Sequence, residues 1–162
     1  MSADVNLKKS LLEISSMSRA AMEQMRDIVW TLDSRKDKYE NLVDRMRAFA
    51  EQQLHLKNIN HKFEFELNDG GRSIPPNVRQ NVYLIFKEAV TNIVKHSNAD
   101  FANIRFKQSD NRSELMISDN GVIVNSNNTD GSGLLNMKKR AASFGGNLTI
   151  KADEGYSIKL TF

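Results

Sequence analysis

Glu88, Asn92 and His96 stand four residues apart in a stretch whose apolar residues recur at helical intervals: Val78, Val82, Ile85, Phe86, Ala89, Val90 and Ile93. At helical pitch each of the three is turned about 40° from the one before, so they form a polar stripe at the border of the apolar face. A carboxylate and a carboxamide drawn partly out of water cost free energy unless something satisfies them. A hydrated Mg2+ ion does so with one or two protein oxygens, the other positions going to water and phosphate. The stripe also fits the plain polar border of an amphipathic helix, and His96 taken alone reads as structural.

Two further groups follow. Asp119-Asn120-Gly121 comes directly after a strand-like stretch. An acidic side chain there can accept a hydrogen bond from an exocyclic amine, and Gly121 lets a ring approach the backbone. Gly131-Ser132-Gly133-Leu134 opens a helix, where free backbone amides and the helix dipole favour an anion. Between them runs a polar, Asn-rich loop that could close over a ligand. Alone, the first is also an ordinary Asp turn and the second an ordinary cap. In order, a polar stripe, Asp-x-Gly, a loop and Gly-x-Gly describe one nucleotide site.

The elements that position these groups are legible from periodicity. The helix is expected over 76–97, opened by Pro75-Pro76. Strands are expected at 61–67, 101–107, 113–118, 147–151 and 156–162, with a helix over 134–144 stopped by Gly145-Gly146. Upstream, Tyr39, Leu42, Val43, Met46, Phe49, Ala50 and Leu54 mark another helix. The fold class is α+β: helices covering one face of a mixed or largely antiparallel sheet. Before the charged break at 33–38, Leu7, Leu11, Ile14, Ser18, Ala21, Met25, Ile28 and Leu32 are spaced by alternating fours and threes. That is a heptad seam, which favours an intersubunit bundle over packing on its own domain.

Composition removes several alternatives. The 162 residues include no cysteine, which excludes disulfide scaffolds, thiolate-bound zinc and thiol catalysis. The net charge of +3, with 23 basic and 20 acidic residues interleaved, gives no case for nucleic acid. No apolar run approaches the roughly 18 residues that span a bilayer. The three histidines, His55, His61 and His96, have no metal-ligand spacing.

KEAVTNIVKHSNA (87–99) resembles the N box of sensor histidine kinases, and DNG (119–121) and GSGLLNMKKRA (131–141) resemble their two glycine boxes. That family belongs to the ATPase superfamily shared with gyrase, heat-shock chaperones and mismatch-repair proteins. MRDIVWTLDSRKDKYENLVDRMRAF (25–49) resembles the junction between dimerisation and catalytic domains in the subgroup whose response regulators carry helix-turn-helix output domains. The resemblance covers about residues 10–162. It implies the second helix of the dimerisation region over 1–34, and a Bergerat-type ATP-binding α/β sandwich over 35–162. It implies ATP and Mg2+ as cofactors, with Asn92 on the metal and Glu88 organising the metal, its waters and the phosphates. Lys95 and His96 would line the phosphate side. Asp119 would hold the adenine amine, with Gly121 beneath the ring, and Gly131, Gly133 and Leu134 would offer amides to phosphate.

The resemblance also implies a homodimer through the N-terminal helix, a response-regulator receiver domain as partner, and no nucleic acid. The chain would be a cytoplasmic domain, of a membrane-anchored sensor whose anchor lies outside it. An anti-sigma-type serine kinase and an inert dimerising adaptor share the fold; the heptad helix opposes the first and the retained polar residues oppose the second. Three departures stand out. None of the three histidines matches the family's phosphoacceptor, so the chain is expected to be a fragment that does not autophosphorylate alone. Ile123 stands where a second glycine is frequent, and Gly155-Tyr156 stands where a Gly-Thr pair is common, which bears on one wall of the adenine pocket.

Overall fold

The computed structural model describes residues 2–33, 37–68, 72–109, 112–122, 132–151 and 155–162. Packing divides the chain into two compact units, Met1–Lys36 and Asp37–Phe162. Among its described residues the first forms one helix, α1 (Ser2–Leu32), with no glycine or proline to interrupt its hydrogen-bond ladder. Leu7, Leu11, Ile14 and Met25 of the heptad seam are exposed, and so are Leu12, Met17, Met22 and Val29. No helix among the described residues is long and apolar enough to cross a membrane.

The second unit runs α2 (Tyr39–His55), β1 (Asn60–Leu67), α3 (Pro76–His96), β2 (Phe101–Ser109), β3 (Arg112–Asp119), α4 (Ser132–Ala142), β4 (Asn147–Lys151) and β5 (Ser157–Thr161). The five strands form one sheet in the order β1-β2-β3-β5-β4. β1 and β2 are parallel, which requires a crossover, and α3 is that crossover. All other neighbours are antiparallel. The molecule is therefore α+β, with a mixed sheet packed against helices.

The core follows from strand alternation and helical periodicity. Ala102, Ile104, Phe106, Leu115, Ile117, Ile158 and Leu160 are buried on the sheet side, and Leu42, Met46, Ala50, Leu54, Val82, Ile85, Phe86, Ala89 and Ile93 on the helix side. Each large apolar side chain removed from water contributes about 1.5–3 kcal/mol. The other sheet face is a solvated charge ladder. Register sets Glu64 beside Arg105 and Glu66 beside Lys107, with ion pairs at 2.8 Å in both cases. Hydrogen bonds from Lys62 and Arg105 hold the Glu64 carboxyl below its usual range, and Lys107 does the same for Glu66. Exposed pairs of this kind contribute at most about 1 kcal/mol each.

α3 is anchored at its start. Pro76 occupies the first helical turn, where a missing N–H costs nothing. Arg79, wholly buried, pairs with Asp37 at 2.8 Å. The backbone reinforces this link: Ile74 N–H donates to the Asp37 carbonyl and Tyr39 N–H to the Arg72 carbonyl. The segment entering α2 is thus stitched to the segment entering α3, the helix that carries Glu88 and Asn92.

Candidate functional site

The polar stripe on α3 lies at the core boundary: Glu88 and Asn92 are half-buried beside buried Ala89 and Ile93, whereas Lys95 and His96 in the last turn are exposed. Glu88 faces the start of α4. A Cβ placed on Gly133 would collide with the Glu88 carboxylate, so a larger residue there would push the carboxylate away from its present place. Gly133 and Leu134, both half-buried, belong to the first turn of α4. Amides of a first turn lack intrahelical acceptors and favour an anion. A carboxylate and an anion site in contact repel unless a cation lies between them, and one carboxylate plus one amide oxygen suit a hard cation that keeps several waters. Gly131 and the loop 123–131 lie outside the described residues.

At the other end of the site Asp119 is the last residue of β3 and is buried. Its Oδ1 accepts a hydrogen bond from the Ser97 hydroxyl at 2.7 Å and from Gly121 N–H at 2.8 Å. Its Oδ2 is buried and has no hydrogen-bond partner among the described residues. A buried, fixed and unsatisfied carboxylate oxygen is costly in isolation and calls for a donor from a ligand. Gly121 is close-packed: a Cβ there would meet Ser97 Oγ and the backbone nitrogen of Ala99, the latter at 2.5 Å. Asn120 Oδ1 accepts from the backbone N–H groups of Asp100 and Phe101, and Asn98 Oδ1 accepts from Val122 N–H at 2.6 Å. The turn after β3 is thereby stitched to the connection after α3.

Tyr156 joins the two ends. Its carbonyl accepts the Asp119 N–H at 3.0 Å, and its hydroxyl accepts a hydrogen bond from Asn92 Nδ2 at 3.4 Å. Burial pushes the phenol up to about 12, with the Asn92 hydrogen bond opposing and Glu88 and Asp119 adding to the rise. Gly155, at φ +111°, lies against the Asp119 carbonyl in a conformation that side chains avoid.

The fold therefore brings Glu88, Asn92, Asp119, Gly121 and Gly133 together. Lys95 and His96 sit exposed in the last turn of α3. Ser97 and Asn98 were not singled out by sequence, although both lie inside the 87–99 motif. A serine just past a helix end signals a cap, and here its Oγ does accept the Ala99 N–H. Nothing local announces its partner Asp119, 22 residues on.

No protein-family model matches the chain. In sequence it is 28% identical over 153 residues to sensor histidine kinase YvfT of Bacillus subtilis (strain 168), covering 92% of this chain and 38% of that protein. It is 29% identical over 149 residues to sensor histidine kinase LnrJ of the same organism, covering 91% and 36%. The chain thus spans less than two fifths of the length of these two relatives. In structure it matches the catalytic domain of histidine kinase ThkA with a TM-score of 0.59 at 14% identity, covering 77% of this chain and 92% of that one. The chain is a relative of sensor histidine kinases and carries the fold of their catalytic domains.

Proposed function

We propose that residues 35–162 are the Mg2+-dependent ATP-binding catalytic domain of a sensor histidine kinase, and that residues 1–34 form the second helix of its dimerisation region. The observation that carries this is the buried Asp119 Oδ2, held in place through Oδ1 by Ser97 and Gly121 and lacking a partner of its own among the described residues. It matches the exocyclic amine of adenine and opposes a carbonyl at the same place. Asn92 and Glu88 would hold Mg2+ beside the start of α4, where the amides of Gly131, Gly133 and Leu134 would receive phosphate. Lys95 and His96 would line the phosphate side. When bound, Mg-ATP supplies the phosphoryl group; the chain's own residues fix the adenine, gather the phosphates and exclude water.

In the whole protein the acceptor would be a histidine on a segment outside this chain, and the phosphoryl group would pass on to an aspartate of a response regulator. The α1 seam would form the homodimer. The chain would lie in the cytoplasm, tethered to a membrane by segments beyond it.

Isothermal titration of the chain with ATP and GTP, with and without Mg2+, tests the site. Expected are a clear preference for ATP, tighter binding with Mg2+, and loss of the Mg2+ effect in Asn92→Ala. Equal affinity for ATP and GTP, or no binding of either, would show the assignment to be wrong.

A further inference from the structure

Asn92 offers a cation one oxygen and, on the same planar group, one nitrogen whose hydrogens repel it. A free carboxamide presents either. In the structure the nitrogen faces the Tyr156 hydroxyl, which is buried with the rest of its side chain and accepts from Asn92 Nδ2 at 3.4 Å, and this orientation leaves the carbonyl oxygen turned away from the tyrosine. We infer that Tyr156 is a positioning residue for Asn92, its hydroxyl engaging the carboxamide nitrogen so that the carbonyl oxygen is left to the cation. The inference rests on the nucleotide reading above.

Tyr156 is well placed for such a task because it is held at its backbone. Its carbonyl accepts the Asp119 N–H at the end of β3, and the next residue enters β5 in register with Ser118. Gly155 allows the tight approach to the Asp119 and Gly121 carbonyls that sets this geometry. The phenol ring is rigid, so a fixed backbone gives its hydroxyl a short reach of positions. One residue therefore ties the group that would read the adenine, Asp119, to the group that would hold the metal, Asn92. A shorter side chain at position 156, such as threonine, would not span from the β5 backbone to the Asn92 amide in the same way.

The hydrogen bond is long, so its strength is modest, and the effect belongs to the metal rather than to the nucleotide as a whole. The test is calorimetric titration of ADP into wild type and Tyr156→Phe, each in excess Mg2+ and in EDTA, with circular dichroism confirming that both are folded. Wild type should gain affinity with Mg2+. Tyr156→Phe should match wild type in EDTA and lose roughly three- to tenfold of the Mg2+-dependent gain, the scale of one neutral hydrogen bond. Asn92→Asp supplies a second arm. A carboxylate presents oxygen whichever way it turns, so adding Tyr156→Phe to Asn92→Asp should change the Mg2+ gain by less than twofold. An unchanged Mg2+ gain in Tyr156→Phe overturns the inference and leaves the nucleotide site standing. So does an equal loss in the EDTA and Mg2+ arms, or an equal loss in the Asn92→Asp background. Wild type that binds no ADP under any condition overturns both.

Discussion

Replacing Asp119 by asparagine separates the role of its two oxygens. In the folded chain Oδ1 receives the Ser97 hydroxyl and the Gly121 N–H, while Oδ2 waits without a partner among the described residues. Asparagine must keep its single oxygen at the Oδ1 place. Turned the other way, its NH2 would face the Gly121 N–H, which can only donate. The NH2 therefore stands where Oδ2 stood and confronts the adenine amine donor to donor. The lost charge-assisted bond is worth about 1.5–3 kcal/mol, and the buried donors left unpaired cost about 1–3 kcal/mol more. At about 1.4 kcal/mol per decade, ATP affinity should fall by roughly two to four orders of magnitude. The free chain should respond quite differently. Weaker bonds from Ser97 and Gly121 destabilise it, while removal of a buried charge relieves it, so the net change in folding stability should stay within about 2 kcal/mol. Calorimetric titration with Mg-ATP beside thermal denaturation reads both quantities. Affinity within threefold of wild type in a folded Asp119→Asn chain would refute the reasoning.

Three other outcomes follow from the packing. Gly121→Ala drives a methyl into Ser97 Oγ and the Ala99 backbone, which cannot yield as a side-chain tip can; about 1–3 kcal/mol of stability and most ATP affinity should be lost, measured by denaturation and titration. Arg79→Ala strips a wholly buried partner from Asp37 and should cost about 3–5 kcal/mol in urea unfolding; a change under 1 kcal/mol would mean the pair does not anchor α3. The Tyr156 phenol, raised from 10.0 to about 12, should ionise late in an ultraviolet titration, and Tyr156→Phe should delete that phase. Because the folded value lies above the unfolded one, its stabilisation is complete below about pH 10 and is lost as pH rises towards 12, a total of about 3 kcal/mol.

Sequence by itself determined the elements, because their signals are local. The apolar spacing of α3 and its opening prolines fall within one segment, and the alternation of β2, Phe101–Ser109, is visible without its neighbours. The residues of the proposed site could be named for the same reason, since Glu88 and Asn92 share one helical face and Asp119 closes a strand. The pairing of strands, with β5 between β3 and β4 and β1 parallel to β2, was not, because register depends on which faces find each other in the core. Nor were the contacts that complete the site. Ser97 meets Asp119 across 22 positions, Asn92 meets Tyr156 across 64, and Arg79 is buried because Asp37 comes back to meet it. A polar side chain carries no local mark of its distant partner. Which donor faces which acceptor, and which oxygen is left over for a ligand, is decided only when helix and sheet close on one another and water is shut out.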